Sequence, residues 1–335
     1  MLKPLPILPH MPRFVKERIV SHIDVFSRES LMQCSHEFYD LVKKLEIYEK
    51  VILTVTEIGV AMKFSDMEGN KRIIEYYKYN DGCLRKRGDS TKIIEDKTPY
   101  NLLVRDLWKL TGNPKHTVKE LLLTYEDDFP RFLSINPLKE ETASLLNEIQ
   151  RVFVETDTML NAKGVYFDMD QDMIYRRPEA VELDQDAMMK LISICKPGFL
   201  RRFFFTSMRH GRDISKLIAS EQWKRAENVV IDGGNVPAHS VTHFKYAAVW
   251  HCSLSQEEFE GVIQSAIRQG KNLVQFKFSQ LSYDHQAALH YLSTYPGMEL
   301  VGPEEYQLRL PNSEYNMYFT ANNDFLWMVP DVFDE

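Results

Sequence analysis

The chain has 335 residues, with 48 Asp and Glu against 41 Lys and Arg, which gives a formal charge of −7. A hydrophobic share of 44%, including 12% aromatic residues, excludes wholesale disorder. The acidic balance argues against a general nucleic-acid binder, because phosphate contacts need a basic surface.

Cysteine usage and hydropathy limit the environment of the protein. The four cysteines, Cys34, Cys83, Cys195 and Cys252, form no C-x-x-C pair, which excludes a paired-cysteine zinc site and disfavours a disulfide framework. No apolar run approaches the roughly 20 residues that cross a bilayer, and prolines interrupt the N-terminus. We therefore expect a reduced protein in the cytoplasm, the nucleus or both, with neither a membrane nor a nucleic acid as its partner.

The first fifty residues predict a small helical unit. Val15, Ile19 and Ile23 repeat every four residues after Pro12, and proline is favoured at the first position of a helix. Ser27 and Ser35 are suited to cap two further short helices. Three such helices bury too little surface to be stable alone, so we expect the unit to pack against another surface.

These residues resemble an F-box of the nematode type. The resemblance is carried by Pro9, Met11-Pro12, Val15, Ile19, Ile23, Phe26-Ser27-Arg28, Leu31, Cys34-Ser35 and Phe38. Met11 stands where the family more often has leucine, and Phe14 where it has an acidic residue. The alternative interpretation is a helical cap on the following domain.

The F-box resemblance implies a domain over residues 6–48 and a partner for it. That partner is a Skp-type adaptor and, through it, a cullin–RING scaffold. The residues that would fill the adaptor's groove are Met11, Pro12, Val15, Ile19, Ile23, Phe26, Leu31 and Phe38.

Residues 49–112 predict a β-rich section followed by a helix. Apolar residues alternate with period two, and Glu68-Gly69-Asn70 and Asn80-Asp81-Gly82 are typical turns. The basic run at residues 84–87 is interpreted as a charged hairpin edge. A helix is predicted from Pro99 to Leu110.

From residue 113 to 335 an apolar-x-x-apolar-x-apolar motif recurs with helix-like stretches between most copies. Strand-then-helix units at this scale resemble a leucine-rich-repeat solenoid. The starts lie 44, 38, 26, 18 and 27 residues apart, so the array is irregular, and a generic α/β domain is the alternative. The six copies begin at Val118, Ala162, Leu200, Ala226, Phe244 and Lys271. The predicted helices are Thr142–Val154, Asp184–Cys195, Asp213–Trp223 and Ser255–Gln269. Trp223, at the end of a helix, is interpreted as a core anchor.

A second resemblance concerns this region. The segment from Ile218 to Ile231 resembles the core of the FTH domain, and so does His243-Phe244. The C-terminal end also fits, with strands expected at Tyr315–Phe319 and Phe325–Val329. The acidic helix that follows carries a predicted capping box, Ser255 with Glu258. FTH domains follow F-boxes in a large nematode family, so the resemblance implies an FTH domain over residues 113–335.

Together these features predict an α/β fold class, α+β overall. It comprises an N-terminal three-helix F-box, a β-rich section and an irregular leucine-rich-repeat-like α/β domain.

Metal-binding and catalytic patterns are incomplete. Asp168, Asp170, Asp172 and Glu179 occupy four positions of an EF-hand-like loop, but Met173 stands where the turn requires glycine. His239 and His243 are four residues apart, with His251 and Cys252 nearby, but Pro237 argues against a continuous helix there. No phosphate-binding glycine loop or G-x-S-x-G motif occurs. We therefore expect no metal, no cofactor and no catalytic residue.

The two resemblances imply a non-enzymatic adaptor. It would be the substrate-recognition subunit of a Skp–cullin–F-box ubiquitin ligase, with the target protein and the residues that bind it unknown. Two alternatives stay open: an interaction module that does not direct ubiquitylation, and a hydrolase or metal enzyme within the α/β domain.

Overall fold

The structure is a computed structural model that describes thirteen stretches of the chain. They are residues 11–12, 15–16, 18–19, 48–56, 58–66, 69–112, 116–125, 136–168, 185–205, 213–233, 236–279, 282–310 and 315–331. The chain divides into two compact units: unit 1 comprises residues 1–164 and 190–199, and unit 2 comprises residues 165–189 and 200–335. Within the described stretches no helix is long and apolar enough to span a membrane. The predicted domain boundaries at 48/49 and 112/113 stay predictions.

Unit 1 is a sheet with two helices. Its strands are β1 (Tyr48–Thr56), β2 (Gly59–Ser65), β3 (Lys71–Tyr79), β4 (Gly82–Arg87), β5 (Ser90–Glu95) and β6 (Val118–Tyr125). Its helices are α1 (Pro99–Thr111) and α2 (Asn136–Glu155). Strand β7 (Ala162–Asp168) and helix α3 (Gln185–Ser193) each contain a boundary between the units.

Unit 2 contains the remaining elements. Its strands are β8 (Arg202–Phe205), β9 (Asn228–Asp232), β10 (Tyr246–Trp250), β11 (Gln275–Ser279), β12 (Met298–Gly302), β13 (Glu305–Arg309), β14 (Asn316–Ala321) and β15 (Phe325–Pro330). Its helices are α4 (Ser215–Ala219), α5 (Glu221–Arg225), α6 (Gln256–Gln269) and α7 (His285–Thr294). The mixed α/β class is therefore confirmed.

The sheet of unit 1 has the order β6-β1-β2-β3-β4-β5. Strand β1 pairs parallel with β6 and antiparallel with β2, and the remaining pairs are antiparallel hairpins. The predicted turn between β3 and β4 is present, and a Cβ on Gly82 would lie 2.5 Å from the carbonyl oxygen of Ile94, so this position requires glycine. The alternating residues predicted for the core are buried: Val51, Leu53, Val55, Val60, Met62 and Phe64.

Helix α1 covers part of this sheet. Thr98 caps it, since its Oγ1 accepts a hydrogen bond from the Asn101 N–H at 3.2 Å, and Pro99 occupies the first turn. The buried face of the helix carries Leu103 and Leu107, and the helix packs on β2, β3 and α2. The predicted helix from Pro99 is confirmed and extends one residue further than predicted.

Unit 2 is built on a parallel ladder. Its strand order is β8-β9-β10-β11-β15-β14-β13-β12, with β8 to β11 parallel. Residues in register across the four parallel strands are apolar and buried, which explains the recurring sequence motif. The first row is Phe203, Val229, Ala247 and Phe276, and the second row is Phe205, Ile231, Val249 and Phe278.

A repeated hydrogen-bond pattern precedes these strands. The backbone carbonyls of Arg201, Glu227 and Lys245 each accept two N–H groups from the start of the next strand, at 2.7–3.2 Å. The Glu227 carboxylate also bridges the two cations, at 3.3 Å to Arg201 and 3.4 Å to Lys245. Each parallel strand is thus joined to the next in the same way, although the connecting segments differ in length.

Two sequence predictions in this unit were wrong in detail. The sixth motif copy is offset by two residues: Leu273, Phe276 and Phe278 are buried, whereas the predicted Val274 is 57% exposed. The helix predicted over Asp213–Trp223 is two short helices, α4 and α5, because Ser220 has extended backbone and caps α5 with its side chain. The capping box at the start of α6 is confirmed.

The C-terminal strands return to the ladder. Strand β15 pairs antiparallel with β11, and β14, β13 and β12 follow as an antiparallel meander. The strands predicted at Tyr315–Phe319 and Phe325–Val329 are found as β14 and β15. Trp223 lies under β8, with its ring 5.7 Å from Phe203 and 5.0 Å from Phe244, which confirms it as a core residue.

Candidate functional site

The described part of the predicted F-box site is the start of a helix. The Pro12 carbonyl accepts hydrogen bonds from the N–H groups of Val15 at 3.0 Å and Lys16 at 3.2 Å. Val15 and Ile19 are helical and half-buried. Met11, which precedes the helix, is also half-buried, and Pro12 is exposed. The other predicted adaptor-binding residues, Ile23, Phe26, Leu31 and Phe38, lie outside the described residues.

Two of the three histidines considered for metal binding, His243 and His251, have separate structural partners. The His243 ring bonds the Trp223 carbonyl at 3.0 Å, and His251 lies 3.6 Å from the Asp232 carboxylate. Cys252 is buried, and its thiol donates to the Val236 carbonyl at 3.7 Å. Among the described residues no group of three or more His, Cys, Asp or Glu side chains is placed to hold a metal.

The EF-hand-like positions do not form a described site. Asp168 is the last residue of strand β7, whereas an EF-hand loop begins at the end of a helix. Asp170, Asp172 and Glu179 lie outside the described residues.

The basic run at residues 84–87 is partly paired within unit 1. Arg85 donates to Asp106 at 2.6 Å, and Asp106 also accepts from the buried Tyr76 hydroxyl at 2.7 Å. Lys86 lies 3.4 Å from Glu75. Burial and the Asp106 carboxylate raise the pKa of Tyr76, so its hydroxyl stays protonated and acts as a donor.

One face of the sheet in unit 2 is less buried than the opposite face. On β8 to β11, β14 and β15, one set of alternate residues is fully buried. The opposite set is rich in aromatic rings and mostly half-buried, with Ala248 buried and Arg202 and Trp327 exposed. We call this second set the open aromatic face. Its six main aromatic residues are Phe204, Tyr246, Trp250, Tyr318, Phe325 and Trp327.

The open aromatic face is continuous across strands. Phe204 is in register with Val230, and Val230 with Ala248. Ala248 is in register with Lys277, and Lys277 with Trp327. Trp327, at 39% exposure, is the most accessible of the large rings in this row.

The recurring motif in the sequence marks only the buried positions, so it does not predict the open aromatic face. A detectable pattern was present: Phe204, Val230, Tyr246 and Ala248 occupy the positions between the buried residues, yet they are also apolar. In a sheet with one solvated face these positions are usually polar. Apolar residues on both faces of a strand indicate a second contact surface.

A half-exposed aromatic sheet face and a helix start with part-exposed apolar residues are typical of an interaction module. The chain carries an F-box domain followed by an FTH domain: residues 8–50 match the F-box domain family, and residues 173–293 match the FTH domain family. The predicted architecture is therefore confirmed. No curated protein and no solved structure matches the chain.

These two domains define the kind of protein in outline. F-box domains generally bind Skp-type adaptors in cullin–RING ligases. Both domains are typical of adaptor or interaction modules rather than of enzymes. The match therefore supports a role as an F-box adaptor.

Proposed function

We propose that this chain is the substrate-recognition subunit of a Skp–cullin–F-box ubiquitin ligase. The observation that carries the proposal is the presence of an F-box domain and an FTH domain, in that order, in one chain. The F-box, as a three-helix unit over residues 6–48, docks on the Skp-type adaptor. The C-terminal domain over residues 113–335, with its repeat-like strands, holds a protein target.

Docking on the adaptor relies on burial of apolar anchors. Val15 and Ile19 are one helical turn apart, so both side chains face the same side of the helix, next to Met11 and Pro12. Ile23, Phe26, Leu31 and Phe38 complete the proposed anchor set. Such anchors supply most of the binding energy of an interface when they enter desolvated pockets. The chain itself performs no bond-making step; it brings a target close to the charged E2, and proximity accelerates transfer.

Target binding is assigned to the open aromatic face of unit 2. Tyr and Trp are enriched in the cores of protein–protein interfaces, where a large apolar ring is covered and its polar atom is hydrogen-bonded. The face presents such rings on a rigid hydrogen-bonded sheet. A rigid platform loses little conformational entropy on binding, which favours affinity.

Binding of the full-length chain to a purified Skp-type adaptor tests the docking step. We expect co-purification with wild type and a loss of at least about tenfold in affinity for Ile19→Asp, because a charge in a desolvated pocket is costly. Pro12→Ala should weaken binding less. Ile58→Asp is the matched control, since Ile58 is 44% exposed and lies outside the F-box match. Failure of wild type to bind any Skp-type adaptor would contradict the proposal.

A reconstituted ligase distinguishes a ligase subunit from a passive binder. Wild type, once assembled with the adaptor and a cullin–RING scaffold, should promote ubiquitin transfer to a bound target, and Ile19→Asp should not. In cells, deletion of residues 1–48 should stabilise that target. A target that binds but is neither modified nor stabilised would favour the non-degradative interaction module instead.

A further inference from the structure

We propose that the open aromatic face of unit 2 binds an acidic protein segment, whose carboxylate pairs with Lys277 while its apolar side chains cover Trp327 and Phe204. This inference rests on the proposed function, because it names the chemistry of the target.

Lys277 is the residue that we propose to pair with a carboxylate of the target. It lies on β11 between the buried Phe276 and Phe278, and its neighbours on the adjacent strands are Ala248 and Trp327. Its side chain is half-buried, and it makes no hydrogen bond or ion pair with any residue that the structure describes. A cation beside apolar surface is under-solvated, so a carboxylate from a partner is the group that would stabilise it.

Several half-buried charged groups of unit 1 are paired with another side chain. The Asp106 carboxylate accepts from both Arg85 and Tyr76, and the buried Glu141 carboxylate accepts from Lys78. Lys277 has no such partner among the described residues, and it lies beside the exposed ring of Trp327, which favours a partner from outside the chain.

The charged residues on the open aromatic face favour an acidic partner. The outward positions of β8 to β11 and β15 carry three charged residues: Arg202, Asp232 and Lys277. Asp232 already has His251 at 3.6 Å, whereas Arg202 makes no ion pair with the described residues. The chain as a whole carries a charge of −7, yet this face offers two available cations. The complementary partner is therefore acidic.

The spacing of the two cations indicates how the segment lies. Arg202 and Lys277 are three strands apart, which is about 14–16 Å between their Cα atoms at about 4.8 Å per strand. An extended segment that crosses the strands covers this distance in about four or five residues. Between the cations it would pass over Val230 and Ala248, which are apolar. The proposed segment therefore has two acidic residues separated by apolar ones.

A peptide selection tests the proposal without the adaptor. The probe is a displayed library of random 16-residue peptides, selected separately on full-length wild type and on Lys277→Glu. We expect wild type to enrich Asp and Glu beside aromatic or aliphatic residues, and Lys277→Glu to enrich Lys and Arg. A synthetic peptide from the wild-type pool should bind Lys277→Glu and Trp327→Ala at least about tenfold more weakly.

Matched controls separate recognition from folding. Lys271→Glu makes the same charge change in unit 2, at an exposed residue in a short 3-10 helix before β11, and should keep the peptide affinity within about twofold. Lys277→Gln removes the charge with little change in size. It should lose the preference for acidic peptides but still bind through the rings. Thermal melting of each variant, within a few degrees of wild type, verifies the fold.

Several results would overturn the proposal. Peptides without acidic residues, peptides that bind Lys277→Glu as well as wild type, or no selected peptide at all each contradict it. Self-association of wild type that Trp327→Ala abolishes would assign the face to a second copy of the chain. Binding of a single-stranded oligonucleotide that Lys277→Glu abolishes would assign it to nucleic acid. Because the selection contains no Skp-type adaptor, these results are independent of whether the F-box docks.

Discussion

Two tryptophans of unit 2 show how position in a sheet determines the role of a residue. Trp223 is 1% exposed, its indole N–H donates to the Ser240 carbonyl at 3.1 Å, and its ring contacts Phe203 and Phe244. Trp327 is 39% exposed, on the open aromatic face. The sequence predicted the first as a core residue from its helix position. It did not predict the second as a surface residue, because exposure depends on which neighbours cover the ring.

This contrast predicts different stability effects. Trp223→Ala should lower the free energy of unfolding by about 3–5 kcal/mol, because it leaves a cavity and an unpaired Ser240 carbonyl. Trp327→Ala should cost less than about 1 kcal/mol, since part of the ring is already solvated. Urea unfolding of both variants measures the difference. Equal costs would mean that the open aromatic face is covered within the free protein.

Three cysteines respond to burial in a way that alkylation can measure. Burial raises the pKa of Cys83 to about 11 and of Cys195 and Cys252 to about 12. At pH 8 their thiols should therefore stay neutral and resist iodoacetamide in the folded protein, and react once urea unfolds it. Mass spectrometry resolves each cysteine separately. Rapid alkylation of any of the three in the folded state would contradict its placement.

The raised pKa values of these three thiols also predict how the stability of the protein changes with pH. Because the folded-state pKa values of the thiols lie above the unfolded ones, their contribution to stability is complete below about pH 8.5 and is lost as pH rises towards 11–12. Unfolding in urea should therefore become easier through this range. Replacing Cys195 with Ala should reduce that pH dependence, although other groups that titrate there will keep part of it.

At the scale of elements, local sequence patterns predicted where strands and helices lie. They did not always predict which residues pair across the sheet. Alternation at Val51, Leu53 and Val55 identified β1, and Ser255 with Glu258 identified the start of α6, because both patterns involve residues close in sequence. The last motif copy was placed two residues too early. Val274 and Phe276 fit the last two apolar positions of the motif as well as Phe276 and Phe278 do. The first position, Lys271 or Leu273, and the pairing of β11 with β10 distinguish the two registers.

This register makes a direct prediction. Phe278 is fully buried and stacks in the row with Val249, so Phe278→Ala should cost about 3–5 kcal/mol of unfolding free energy. Val274, at 57% exposure, should tolerate Val274→Asp with a change within about 0.5 kcal/mol. Urea titration of the two variants compares them. A severe loss for Val274→Asp would restore the register expected from the sequence.

At the scale of the whole molecule, strand order is what the sequence leaves undetermined. Strand β15 lies between β11 and β14, so strands 46 residues apart along the chain at Ser279 and Phe325 are direct partners. Pairing over such distances has no local pattern, because loop closure and packing determine it together. The open aromatic face follows from that order, since Lys277 and Trp327 become neighbours only through it. Sequence patterns within single segments therefore predict the core residues but not the open aromatic face, which is the candidate target site.

The proposed division of labour can be tested by separating the two activities in one chain. Ile19 lies in the F-box match and Trp327 in unit 2. Ile19→Asp should therefore lose adaptor binding and keep peptide binding, while Trp327→Ala does the reverse. In cells each variant should stabilise the same target, and the double variant should stabilise it no further, because both losses interrupt one sequence of steps. Additive stabilisation would show that the two surfaces act on the target by separate routes.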